Sequence, residues 1–299
     1  MPEMSVGKSE ASSPDESASS RTLTALVWVV VLAAFAPALW WITSVAIARE
    51  QIRDAAIVLL FALFVLMRER RDPARWVLSF GPVTSGFVAG ACLAAGASSL
   101  LHQPLLLMAA LGLLAGGILL FLFGDEFIRL ATGLAVAFTG FTILAVILPL
   151  ADLPLRIFAG KTAMALLDTF GAQAALGFAG DPPKLILISN GHPFEVAPEC
   201  NGFGITSSCI LLGLLLAFSR RLRVLDKTLI VLLSPLLGLF SNAIRIMFIV
   251  LLAPNVGPKW YDFMHEAVGI TMFLATLAAV WWLVSGLPER RPQMKSAIS

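Results

Sequence analysis

The sequence predicts an all-α fold, a polytopic helical bundle in the membrane. Beside the spans it places a small extracytoplasmic hairpin and an interfacial helix. Three observations predict it. The chain is 58% hydrophobic and only 13% charged, whereas soluble domains carry roughly a quarter charged residues. Mean hydropathy over the whole chain is +0.88, and a soluble core that apolar would lack a polar coat. Apolar runs of the length a bilayer demands, roughly 20 residues, recur along the 299 residues, giving about eight spans.

In order along the chain, residues 1–22 are rich in Ser, Glu and Asp, show no apolar face, and read as a disordered cytoplasmic tail. The first apolar run is too long for a cleavable signal and reads as an anchor. Spans are expected at 23–48, 55–67, 77–101, 104–123 and 130–150, which make up an N-terminal membrane region, 23–150. A second region, 151–286, opens with a long loop, 151–202, and continues with spans at 203–219, 228–252 and 266–286; residues 287–299 form a second cytoplasmic tail. The second span is short, and the third is rich in Gly and Ala, including Gly86, Gly90, Ala94 and Ala95, which suit close helix packing.

Lys and Arg set the orientation. With the N-terminus inside, fourteen of them fall on inner segments and six on outer ones, and Arg245 lies within a span. The cluster Arg220, Arg221, Arg223 and Lys227 fixes the last three helices by itself. Both termini are then cytoplasmic, and loop 151–202 is outside. Its first part, near 155–177, carries Leu155, Ile157, Phe158, Met164, Leu167 and Phe170 at helical spacing and reads as a helix lying on the membrane surface. Asp181-Pro182-Pro183 breaks it. Asn190-Gly191 between two apolar runs is a hairpin signal, and the hairpin would deliver Cys200 to the mouth of the sixth helix.

Cys200, Arg245 and His265 then share one depth on one face, because alternate helices begin and end there. Arg245 lies seven residues before the end of its span, roughly 10 Å below the edge, within reach of a snorkelling side chain. Facing lipid at mid-membrane it would cost about 3 kcal/mol, so it is expected to face the bundle, with Asn242 on the same helical face to orient it. A helix N-terminus or a nearby cation favours the thiolate of Cys200, the following amides would receive an oxyanion, and His265 would exchange the proton. Gly269, one turn on, permits close helix approach. Each residue alone has an ordinary explanation: a packing cysteine, an arginine paired with lipid phosphate or Glu199, an interfacial histidine. Their coincidence in depth favours a site. Cys92 and Cys209 sit in apolar runs and read as small hydrophobes, His102 and His192 read as solvated, and Trp281 and Trp282 as interfacial anchors. Nothing implies a metal, a cofactor or nucleic acid.

The segment Gly191–Gly202, which reads HPFEVAPECNG after its first glycine, followed by Asn242-Ala243-Ile244-Arg245 and by His265 with Gly269, resembles the exosortase/archaeosortase family over roughly 155–285. The resemblance implies a membrane cysteine protease or transpeptidase with Cys200 as nucleophile, Arg245 stabilising the tetrahedral intermediate or the substrate carbonyl, and His265 as acid and base. It implies protein substrates ending in a short motif such as Pro-Glu-Pro, a transmembrane helix and a basic tail, a bacterial or archaeal cytoplasmic membrane, and a link to exopolysaccharide export. The family commonly has Ser or Ala after the cysteine, and this chain has Asn201. Two rivals are a transporter, which would need several ionisable groups along a path through the bundle, and a scaffold of exopolysaccharide export without catalysis.

Reporter fusions after Asp125, Gly180, Val224 and Trp260 test the orientation. The expected pattern is inside, outside, inside, outside, and an inside signal at Gly180 would reverse the topology.

Overall fold

The computed structural model describes residues 14–69, 77–78 and 80–288. Of the basic residues used for orientation, Lys8, Arg70, Arg71, Arg75, Arg290, Arg291 and Lys295 lie outside the described residues, as does the side chain of Glu199. The chain divides into two units, one up to Trp40 and one from Trp41 onward. The first holds most of helix α1 (Pro14–Ala48), which begins nine residues before the expected span. Once a helix is nucleated, adding polar residues ahead of the apolar run costs little.

The second unit holds α2 (Glu50–Arg68), α3 (Pro82–Leu101), α4 (Pro104–Phe123), α5 (Ile128–Thr169), strands β1 (Ala174–Ala179), β2 (Lys184–Ser189) and β3 (His192–Glu195), then α6 (Phe203–Ser219), α7 (Val224–Leu252) and α8 (Pro258–Ser285). Proline opens α3, α4 and α8, where its missing N–H has no partner to lose. Six of the described helices, α1 among them, are long and apolar enough to cross a membrane. The α6 helix is apolar at 17 residues, and α2, at 19 residues, is longer than the 13 expected and carries charges at its ends. Leu60, Phe61, Phe64, Leu93, Leu232, Leu236 and Trp282 are exposed on helix surfaces, which in water would be an aggregation surface and in lipid is an ordinary one. The protein is a multi-pass, all-α membrane bundle.

Loop 151–202 departs from expectation in two ways. No separate interfacial helix forms over 155–177: α5 runs unbroken through Pro149 and Pro154 to Thr169. The apolar spacing that suggested a surface helix instead gives α5 a face of small residues, Ala159, Gly160 and Ala163, against which the sheet packs. A Cβ on Gly160 would come within 2.9 Å of Leu176, and Leu185, Leu187 and Val196 join Ala159, Ala163 and Leu167 in one apolar cluster. The second departure is that the hairpin gains a strand. The sheet order is β1-β2-β3, antiparallel throughout. The β2–β3 hairpin turns at Asn190-Gly191 as read, both residues at positive φ, +48° and +81°, the combination a two-residue type I′ turn requires.

The cluster under the sheet also contains Cys200, Ile246, Met247 and Val250, so the sheet clamps the loop before α6 onto α7. At the same crossing a Cβ on Gly238 would stand 2.6 Å from the Thr206 Cα, and only glycine lets α7 approach α6 this closely. Gly238→Val should therefore wedge the two helices apart and destabilise by about 1–3 kcal/mol. A lowered thermal midpoint in detergent is the expected reading, and an unchanged one would contradict the packing described.

Candidate active site

Cys200 ends a short 3-10 turn, Pro198–Cys200, and α6 begins three residues later at Phe203. The connection is Asn201-Gly202, with Gly202 at φ +77°. A Cβ there would lie 2.6 Å from the Asn242 side chain, so conformation and space both demand glycine. Cys200 is 7% exposed.

Two amide side chains hold this turn. Asn242 on α7 donates from Nδ2 to the Cys200 carbonyl at 3.0 Å; it thus fixes the cysteine's backbone, where the sequence suggested that it orients Arg245. Asn201 is 1% exposed and bonded at both ends. Its Oδ1 accepts from the Phe203 N–H at 2.7 Å and from Gln51 Nε2 at 3.2 Å, and its Nδ2 donates to Asp152 Oδ1 at 2.7 Å. Arg156 pairs with the other Asp152 oxygen at 2.8 Å, and Gln51 also donates to the Pro198 carbonyl at 3.1 Å. The amides after Cys200 are therefore partly committed: Asn201 N–H to Pro198 and Phe203 N–H to the Asn201 side chain. They form no open row of donors of the kind the sequence suggested for an oxyanion.

His265 on α8 and Arg245 on α7 complete the group. The Cys200 Sγ lies 3.9 Å from His265 Nε2, and an Arg245 terminal nitrogen lies 3.3 Å from the same Nε2. Arginine only donates, so a hydrogen bond at this contact requires Nε2 to accept, which is the tautomer with the ring proton on Nδ1. The three residues expected to share one depth are in contact. Gly269 makes room for the guanidinium, since a Cβ there would meet Arg245 at 3.0 Å. Tyr261, the chain's one tyrosine, lies a turn before His265 with ring centroids 6.0 Å apart. Cys209 is buried within α6 and Cys92 is exposed on α3. His102 and His192 are both exposed.

Arg245 and His265 line a cavity of about 860 Å³, together with Pro198 and Gly202 on either side of the buried Cys200, with Gln51, Asp152 and Gly204, and with Glu50, Asp54, Asp262 and Glu266 as further acids. Gln51 and Asp152 carried no signal in the sequence, because their roles depend on α2 and α5 converging on one loop. Arg245 Nε and Asn242 Oδ1 are buried without a partner among the described residues. Among those residues, no group of three or more His, Cys, Asp or Glu is placed to hold a metal ion.

In a helical membrane bundle, a buried thiol faces an imidazole nitrogen that a guanidinium also faces, and the last two line a cavity. The chain matches the transmembrane exosortase family (Exosortase_EpsH) over residues 40–282, and it belongs to that family. No curated protein and no solved structure matches it.

The network around Asn201 makes a direct prediction. Asn201→Asp sets a carboxylate against Asp152, and leaving such a buried group unsatisfied costs about 1–3 kcal/mol. Adding Asp152→Asn restores a donor to that position. The single variant should lose thermal stability and alkylation of Cys200 by iodoacetamide should change, with the double variant recovering most of both. No recovery would mean that the bond does not hold the loop.

Proposed function

We propose that this chain is a cysteine protease or transpeptidase that cleaves the C-terminal sorting signal of exported proteins at the outer face of the cytoplasmic membrane. The observation that carries the reading is the shared His265 Nε2, which faces the Cys200 Sγ at 3.9 Å and Arg245 at 3.3 Å. Membership of the exosortase family supports it.

In this reading the thiol proton passes to Nε2, and the thiolate, the reactive form, adds to the scissile carbonyl. A protonated Nε2 no longer accepts from Arg245. The guanidinium is released in the step that creates a negative oxygen, and its planar fork is suited to receive that charge. The tetrahedral intermediate collapses as the imidazolium gives its proton to the leaving amine. Nε2 becomes an acceptor again, and the acyl group remains on Cys200 as a thioester until water or an acceptor nucleophile takes it. The buried, unpartnered Arg245 Nε and Asn242 Oδ1 supply a further donor and acceptor for the bound chain, since native structures seldom leave such atoms unused. The substrate is a protein with a short motif, a transmembrane helix that lies beside the bundle, and a basic tail. The active site and both termini fall on opposite sides of the membrane, with the termini cytoplasmic.

Cys200→Ser should abolish processing, because a hydroxyl at this position lacks a base tuned for it. Arg245→Lys keeps the charge but loses the fork, and should cost about 10²–10³ in rate by analogy with loss of one oxyanion donor. Mass spectrometry of quenched wild-type protein co-expressed with a candidate substrate should find a fragment thioester-linked at Cys200. Normal cleavage by Cys200→Ala protein would discard the enzymatic reading.

A further inference from the structure

Among the described residues no strand pairs with the outer edge of β3, and that edge leads to the cysteine. β3 is the outer strand of the order β1-β2-β3. The Val196 N–H donates to the Leu185 carbonyl at 2.9 Å, and the register pairs Phe194 with Leu187 and Glu195 with Ile186. Backbone groups along an antiparallel strand alternate between facing the partner and facing away. Val196, Phe194 and His192 therefore face β2, and Pro193 and Glu195 face outward. Pro193 has no N–H to offer, a usual placement for proline on an edge strand. The outward edge thus presents the Pro193 carbonyl and both the N–H and the carbonyl of Glu195.

Alongside this edge lies a groove of about 400 Å³, walled on one side by His192–Glu195 and on the other by Ala253, Pro254, Val256 and Tyr261. Tyr261 also stands against His265, at 6.0 Å between ring centroids. Phe194 packs on the cluster that contains Cys200. Groove and catalytic group therefore adjoin each other. Glu195 and Cys200 are five positions apart, a reach of at most ~18 Å of extended chain.

We infer that the β3 edge binds the extended segment of the substrate that flanks the scissile bond, as an added strand whose main chain pairs with Glu195 and whose side chains enter the groove beside Tyr261. An extended polypeptide is the occupant because the edge offers main-chain donors and acceptors in strand spacing, and strand addition takes its affinity from main-chain hydrogen bonds while pockets beside the edge read alternate side chains. The inference rests on the proposed peptide cleavage and adds to it the surface that aligns the chain.

Glu195→Pro removes the one outward N–H and leaves the β2–β3 ladder intact. Glu195→Ala removes the same carboxylate, with its 2.8 Å ion pair to Lys184, but keeps the N–H, so the difference between the two isolates the main-chain bond. Val256→Arg fills the groove from the opposite wall and serves if the proline variant does not fold. The probe is a fluorescent peptide of Pro-Glu-Pro motif, apolar helix and basic tail, titrated onto the full-length protein in detergent, with cleavage read in the same samples. Binding should be about tenfold weaker in Glu195→Pro than in Glu195→Ala, and weakened similarly in Val256→Arg, as expected for loss of one hydrogen bond or its pocket. Equal affinity of the proline and alanine variants, or wild-type affinity of Val256→Arg, overturns the docking edge whether or not the peptide is cleaved. Edge-dependent binding without cleavage supports the docking and sinks the enzymatic reading.

Discussion

The buried amide of Asn201 joins three parts of the bundle that the chain brings together from far apart. Through Gln51 it reaches the start of α2, through Asp152 the C-terminal half of α5, and through its own bond to Phe203 the first turn of α6. In a low-dielectric interior such bonds are strong, and each becomes costly when left unmade. The turn carrying Cys200 is consequently fixed by side chains outside it, and Asn242 secures the cysteine's own carbonyl from the fourth helix, α7. The thiol owes its position to these amides and to the Asp152 carboxylate that Asn201 holds.

One nitrogen has two neighbours. His265 Nε2 has a single lone pair, and both Cys200 and Arg245 face it. In the proposed reaction, a thiol proton arriving at Nε2 would displace the arginine donor. Proton transfer and release of the guanidinium would then be one event. Gly269 leaves the arginine room to lie against α8, and its buried Nε has no partner among the described residues.

The site was legible in the sequence where charge and alternation sufficed. Arg245 stood out as an ionisable residue within a span, and Cys200 and His265 followed from counting helix ends. The Asn190-Gly191 turn was legible too, since a two-residue hairpin turn needs positive φ at both positions, whereas the positive φ of Gly202 carried no signal. What escaped is what depends on convergence. Gln51 looks like any polar residue near a helix start, and Asp152 like a loop acid, until α2 and α5 are packed on the same turn. The end of α5 was misplaced because Pro149 and Pro154 fall where apolar sequence gives way to charge, and proline usually marks a boundary. Packing against neighbours carries the helix through both. Strand β1 was hidden because its apolar residues continue a helical spacing, and only the register with β2 reveals the period of two.

The unbroken α5 has a consequence of scale. At 42 residues it measures about 60 Å, twice the roughly 30 Å of a hydrocarbon core. Its C-terminal part, with Asp152, Arg156, Lys161 and Asp168, must stand clear of the lipid, and it carries both the sheet and the carboxylate that anchors the cysteine turn. The helix therefore acts as a gauge that sets the height of the thiol relative to the bilayer. In the proposed reaction, a substrate held by its own membrane span would be measured from the lipid boundary outward, so that the residue cut would be chosen by distance as well as by the letters of its motif.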